Sequence, residues 1–402
     1  MKISIIPYLL VFVIAITLHD GEKTVYAFHE NTDNCTGCHN WATASATSSG
    51  TATINTSGQI TSSGATTVTH HPYNLIGSDQ SSTCLRCHAA PYNQMLLSEY
   101  YVMSIITSST TNTNVPAGRT PGGDFAWLTI GDADVNDATY HGHNIVAQDY
   151  GLDASPVYPE APGGSYPSSY LACTSCHDPH GTTVSYRRLG GIGYLPKSTP
   201  GKAFTKAAPI AVAPLIYNRS EASTDTRVAY GKGMSEWCQN CHPLDRSHPA
   251  GANAILRREV VSNYNTFIGS GNYTGKQATA YTSLVPFEEG SDDYALLSSH
   301  ARIDNSQMGG PNTGNENVMC LTCHRAHASA WPQMFRWNFK SDYIVVNGEY
   351  PGIDDAGTER GKDRRLNLGY TQQQVQAAYY DRPASMFAEW QKNLCNKCHP
   401  KD

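Results

Sequence analysis

No cysteine in this 402-residue chain lies outside a Cys-x-x-Cys-His pentapeptide. With no thiol to spare, there is no separate disulfide framework and no cysteine to carry a lipid anchor. Charge is scarce too: acidic and basic side chains make up 15% of the chain, and 28 basic against 34 acidic groups leave a net charge of −6. Lacking a basic surplus, the chain is not built for nucleic acid or an anionic membrane as its main partner. Hydrophobic residues reach only 40%, while 34 Gly and 22 Pro together give 56 residues. Such a polypeptide buries a poor core by itself. After Leu18 no apolar run is long enough to span a bilayer, and the stretch 207–217 is broken by Pro209 and Pro214.

What the chain does have is six copies of one pentapeptide. They are Cys35, Cys38 and His39; Cys84, Cys87 and His88; Cys173, Cys176 and His177; Cys238, Cys241 and His242; Cys320, Cys323 and His324; and Cys395, Cys398 and His399. Two thiols three residues apart reach the two vinyl groups on one edge of a porphyrin, and the histidine beside them meets the iron from one face. The six motifs therefore read as six covalently bound haem c groups, with the six motif histidines as proximal ligands. A zinc site would use similar cysteine pairs, but it needs pairs of pairs and does not demand a histidine after each. The expected fold is a multihaem cytochrome c, mostly coil and turns with a few short helices, its core built from stacked haems.

The first residues carry an address. Met1 and Lys2 precede an almost wholly apolar stretch, 3–18, then a polar piece and the small-residue ending Val25-Tyr26-Ala27. This pattern predicts a cleaved secretory signal over 1–27, with an uncleaved membrane anchor as the alternative. Residues 28–402 then form a single exported hexahaem electron-transfer domain, with haem attached in the periplasm. Removing Lys2, Asp20, Glu22 and Lys23 takes away two charges of each sign, so the mature chain stays at −6.

The motifs start at 35, 84, 173, 238, 320 and 395, giving gaps of 49, 89, 65, 82 and 75 residues and no solenoid period. Residues 42–69, rich in Ser and Thr, read as a surface loop or short exposed strands. Helices are predicted over 92–103, 253–267, 371–380 and 385–394. The acidic run Asp132, Asp134 and Asp137 has no glycine at the sixth position of a calcium loop and reads as a solvated turn. The 24 tyrosines are assigned to packing.

Function turns on whether any iron is left open. Outside the motifs, and leaving aside His19 in the leader, stand His29, His70, His71, His141, His143, His180, His248, His300 and His327, nine candidates for six distal positions. We assign distal roles to His29, His71, His143, His180, His248, His300 and His327, with His70 and His141 as alternatives. His180 and His327 each follow a motif histidine by three residues, as CHDPH and CHRAH. A histidine tethered that closely to one haem is placed to ligate a neighbouring one, forcing two haems into contact. Bis-histidine ligation throughout leaves no iron position for substrate, and no Cys-x-x-Cys-Lys motif marks an open haem. The eight methionines are explained as packing.

Several stretches carry a specific resemblance: PGGDFAW (121–127), GHNIVAQDYG (142–151), CTSCHDPHG (173–181), YNRSEASTDTRVAYGKGMSEWCQNCH (217–242), PFEEGSDDYALLSSHARID (286–304), CLTCHRAHAS (320–329) and LCNKCHPKD (394–402). In these the chain resembles the OmcS-type family of outer-surface hexahaem cytochromes that polymerise into filaments, or cytochrome nanowires. The similarity is weaker between residues 40 and 118. It implies a continuous stacked haem chain, with parallel and T-shaped contacts alternating, that runs into the next subunit. It also implies that the haem at Cys320 and Cys323 takes its distal histidine from a neighbouring subunit. The family's donor lies three residues after the first motif histidine, where this chain has Ala42. Either the inter-subunit bond is lost, or the pair His70-His71 has taken over from the end of the loop 42–69; we expect the replacement, because the rest of the ligand set is intact and the loop can reach a neighbour at about 3.3 Å per extended residue.

The expected function is extracellular electron transfer by an electron carrier at the outer cell surface. Its partners would be further copies of itself, other multihaem cytochromes and external acceptors such as metal oxides, with no nucleic acid. The alternatives are a multihaem oxidoreductase of a small nitrogen or sulfur oxyanion, and a periplasmic shuttle that does not polymerise.

Overall fold

The computed structural model describes residues 37–39, 53–54, 60–61, 75–90, 101–105, 120–130, 141–180, 185–196, 202–214, 228–242, 284–301, 316–355 and 368–393. Most of these are turn, single 3-10 turns or irregular backbone, with a few short helices, as the Gly- and Pro-rich composition requires.

Helix α1 (Gln80–His88) starts at Asp79, whose carboxylate accepts from the Ser82 amide at 2.7 Å. An aspartate there satisfies an otherwise orphaned donor of the first turn. The chain then straightens, and Ala89–Ala90 (β3) pairs in parallel with Met103–Ser104 (β4), Ala89 opposite Met103. Earlier, Thr53–Ile54 (β1) and Ile60–Thr61 (β2) form an antiparallel ladder inside the Ser/Thr-rich stretch. Ile210–Val212 (β5) pairs antiparallel with Ala229–Lys232 (β6), with an irregularity between Ile210 and Ala211. Helix α2 (Met234–Cys238) follows Gly233, whose φ of +90° is open to glycine at little cost. Helix α3 (Tyr294–His300) is capped by Asp293, which accepts from the Ala295 and Leu296 amides. Helix α4 (Cys320–Cys323) is a single turn, and α5 (Gln372–Ala378) opens with a reciprocal Thr371/Gln374 capping box.

Of the predicted helices, the one over 371–380 forms as α5. The one over 385–394 does not: Ala384–Met386 make one 3-10 turn, and 387–393 run irregularly. That segment is drawn across residues 341–349 instead, with Lys392 bridging Tyr343, the Ile344 amide donating to the Gln391 carbonyl, and the Gly348 amide donating to Glu389. At the end of the helix predicted over 92–103, residues 101–103 are extended, because the Val102 amide donates to the His88 carbonyl and Met103 joins β4. Residues 91–100, the helix over 253–267 and the acidic run at Asp132, Asp134 and Asp137 lie outside the described residues.

The main apolar cluster joins Leu85, Phe125, Trp127 and Ile145 to an aromatic group from the last third of the chain, Trp331, Trp337, Tyr350, Tyr370 and Tyr379. Tyr350 stacks on Tyr379 at 5.4 Å, and its hydroxyl donates to the Arg382 carbonyl. Buried Arg325 lies over the Tyr380 ring at 4.0 Å and donates to the Pro121 carbonyl. A smaller cluster, including Ala211, Tyr230, Met234, Met319 and Leu321, holds β5, β6, α2 and α4 together.

Candidate haem-binding sites

Each fully described motif from the third to the fifth is wound into one helical turn. The amides of His177, His242 and His324 donate to the carbonyls of Cys173, Cys238 and Cys320, each at 3.0 Å. Residues three apart in such a turn lie side by side, so both sulfurs face the same way. Helix α1 does this for the second motif.

The motifs are also brought to one another. The Cys84 thiol hydrogen-bonds that of Cys173, and Cys238 that of Cys320, which pushes the first of each pair well up and the second down, Cys320 to about 7. Burial pushes Cys176 up, with nearby Cys241 adding to the rise, and Cys38 adds a smaller push on Cys84. Were haem attached, these sulfurs would stand as thioethers and would not titrate. The two thiol contacts join the second motif to the third and the fourth to the fifth.

Three histidines outside the motifs face three motif histidines. The ring centres of His39 and His180 are 6.3 Å apart, those of His143 and His242 5.9 Å, and those of His177 and His327 6.3 Å. Two metal–nitrogen bonds of about 2 Å each, plus the inner halves of two imidazole rings, fill a separation of this size. Rings sharing an axis through a metal turn freely about it, so interplanar angles of 16°, 34° and 56° all fit such an arrangement.

The donor set fits as well. The Nδ1 atoms of His143, His177, His242 and His324 bond the carbonyls of Ala326, Arg187, Pro162 and Gln333 at 2.6, 2.8, 2.9 and 2.9 Å. A carbonyl accepts only, so Nδ1 carries the proton and Nε2 keeps its lone pair for a metal. Burial keeps the rings neutral: it holds His143 down to about 4, helped by the facing His242, and His327 down to about 3, helped by the facing His177. His177 and His324 are lowered by burial too.

The third and fifth motifs share a further device. After His177 the chain turns back through Arg187 and Arg188 (φ 53° and 56°), and after His324 through Gln333 and Met334 (φ 59° and 61°). Both are two-residue left-handed turns, closed by Leu189 N to Tyr186 O and by Phe335 N to Pro332 O. Such turns usually take glycine or asparagine, and bulky residues hold this backbone at a cost of about 1 kcal/mol or more each. Each turn sets a matched ladder: the Asp178 and Arg325 amides donate to Arg188 and Met334, and the Gly190 and Arg336 amides donate to Cys176 and Cys323. The ladder brings the carbonyls of Arg187 and Gln333 against the motif histidines.

His327 is also pinned from outside. Its ring stacks on Phe125 at 4.7 Å, its amide donates to the Gly122 carbonyl, and a Cβ on Gly122 would come within 2.8 Å of its Nδ1. His141 is fully buried, its carbonyl accepting from the Ser329 amide. His300 ends α3, with Nδ1 on the Glu289 carboxylate. His88 closes α1. Cys35, Cys395, Cys398, His399, His29, His70, His71 and His248 lie outside the described residues. Sequence reasoning did not find the carbonyl acceptors, the left-handed turns, Phe125 or Glu289. Every residue owns a carbonyl, and Arg-Arg and Gln-Met give no turn signal.

No family model matches the chain. It is 38% identical to the C-type cytochrome OmcS of Geobacter sulfurreducens (strain ATCC 51573 / DSM 12127 / PCA), over 97% of this chain and 98% of that protein. Two solved structures are similar in fold. One is the outer membrane cytochrome S filament from Geobacter sulfurreducens, with a TM-score of 0.70 at 38% identity, covering 92% of this chain and 98% of that one. The other is the cryo-EM structure of OmcS nanowires from the same organism, with a TM-score of 0.70 at 36% identity, covering 94% and 100%.

Proposed function

This chain belongs to the OmcS family of c-type cytochromes, and we propose that it is the subunit of an extracellular filament that passes electrons along a line of six covalently bound haems. It is an electron carrier, not an enzyme. The observation that carries the reading is the facing of His39 with His180, His177 with His327 and His242 with His143, each pair one motif histidine and one from elsewhere in the chain.

Bound haem supplies the redox chemistry, one electron at a time. The chain's residues fix where that happens. Each cysteine pair would hold one porphyrin, and each motif histidine would offer Nε2 to its iron. His180, His327 and His143 would offer theirs to the first, third and fourth haems, leaving those irons no position for substrate. His180 and His327 sit three residues from the motif histidines of the third and fifth haems, so each ties its own haem to the haem two motifs earlier. Carbonyl hydrogen bonds to Nδ1 orient the rings and raise the basicity of Nε2. The three remaining irons, at the second, fifth and sixth motifs, draw on His29, His71, His248 and His300, with His70 and His141 as alternatives.

Filament formation is supported by the solved filament structures of the family. At the fifth motif, the iron held by His324 would receive its second histidine from a neighbouring copy, with His70 or His71 standing in for the histidine that Ala42 replaces. Other multihaem cytochromes hand electrons in, and an external acceptor takes them out. Export through the leader 1–27 and haem attachment in the periplasm precede assembly. Replacing His70 and His71 together by alanine is expected to release subunits with one high-spin haem, read by electron microscopy and EPR. Intact filaments with wholly low-spin haem would remove this pair from the interface.

A further inference from the structure

Second-sphere bonds divide the described histidines. His143, His177, His242 and His324 each direct Nδ1 to a neutral backbone carbonyl. His300 directs Nδ1 to the carboxylate of Glu289. That carboxylate is drawn out of water: its side chain is 8% exposed against 34% for the imidazole it holds.

Glu289 is held by backbone on both sides. Its own amide donates to Tyr230 and the next, Gly290, to Gly231, both at 2.8 Å on β6, while Glu288 exchanges amide–carbonyl bonds with Asn317. The neighbouring acids are engaged elsewhere. The Glu288 carboxylate accepts from the Met234 amide at 2.6 Å, Asp293 caps α3, and Asp292 pairs with Lys232 at the exposed surface. The carboxylate beside His300 is therefore held in place in a partly desolvated site, where an electrostatic interaction acts more strongly than in water.

We propose that Glu289 is a redox-positioning residue: by accepting a hydrogen bond from Nδ1 of His300 it gives that imidazole partial imidazolate character and makes the iron bound by His300 more reducing than those bound by carbonyl-tethered histidines. This rests on the reading of His300 as a distal ligand. Negative charge passed through a ligand stabilises ferric over ferrous iron, and the charge and hydrogen bonding of the second sphere are the protein's levers on potential. One haem in the row is thereby marked as a low-potential point, and each subunit repeats it along the filament.

The test uses intact haem-loaded protein, titrated potentiometrically with visible and EPR detection. Glu289→Gln keeps an acceptor but removes the charge. The expected result is one haem moved to higher potential, the other five unchanged, and all six still low-spin. Glu289→Asp, which keeps the charge but shortens the reach, should move the same haem the same way by less. An unshifted titration in both variants overturns the proposal. His300→Ala separates the two readings: a new high-spin signal keeps His300 as a ligand whatever Glu289 does, whereas a wholly low-spin spectrum removes both ligand and proposal.

Discussion

In residues 173–190 a Cys-x-x-Cys-His-x-x-His run is followed by a left-handed turn at Arg187 and Arg188; in 320–336 the same run is followed by one at Gln333 and Met334. The ladders match bond for bond, yet the trailing histidines meet different surroundings. His180 is exposed, its amide donating to the buried Asp178, with its ring facing His39. His327 is enclosed by Phe125, Gly122 and the facing His177. The residue after the motif histidine differs too: Asp178 in one unit and Arg325 in the other, both buried. A local unit thus turns the same trailing histidine to the first motif in one case and to the third in the other. What that histidine faces, and how tightly water is kept out, comes from the segments packed over it.

The two units can be set against each other most sharply at their trailing histidines. His327→Ala and His180→Ala are each expected to leave one high-spin haem, read by EPR. Only the first also opens a cavity in packed surroundings, so its thermal unfolding should show the larger loss, about 3 kcal/mol or more beyond that of His180→Ala. Two wholly low-spin spectra would dissolve the pairing of both units.

The turns come next. Proline cannot adopt the positive φ of Arg187 or Gln333, so Arg187→Pro and Gln333→Pro should each cost about 1–3 kcal/mol and release Nδ1 of the adjacent motif histidine. Gln333→Pro should be the worse, because the same ladder aligns Phe335 on His324 at 4.7 Å and seats buried Arg336. Gly at either position should keep the bond and change stability by less than about 1 kcal/mol. Equal melting temperatures for the Pro and Gly variants would show the turns to be incidental.

The smallest contrast is steric. Gly122→Ala sets a methyl against the His327 ring and should cost about 1–3 kcal/mol by overpacking. Beside the other unit, Gly191→Ala meets Ala208 alone, its amide nitrogen at 3.3 Å and its Cβ at 3.7 Å, and should cost less than about 1 kcal/mol. Chemical denaturation of the two variants ranks them.

Some of the architecture was legible because its cause is local. The Thr371/Gln374 box announces α5, and short motifs among abundant Gly and Pro announce a chain of turns. The stretch 385–394 has helix-forming residues, but Pro383 precedes it and the backbone around Tyr343 and Gly348 offers it hydrogen bonds across the chain. Propensity lost to tertiary pairing there. Glu289 was legible as a residue type and not as a role, because its partner His300 is eleven residues away on another element.

The sequence by itself determined the residues on which the proposed haem chemistry rests: six Cys-x-x-Cys-His pentapeptides, and further histidines outside them in a number large enough to supply second ligands. Covalent attachment needs only a helical turn, so it is written locally. Tertiary structure alone decided that His180 faces His39, His327 faces His177 and His143 faces His242, and which carbonyl or carboxylate holds each Nδ1. Those are contacts between segments far apart in the chain. A metal takes the lone pair that folding brings to it, and position along the sequence does not say which one that is.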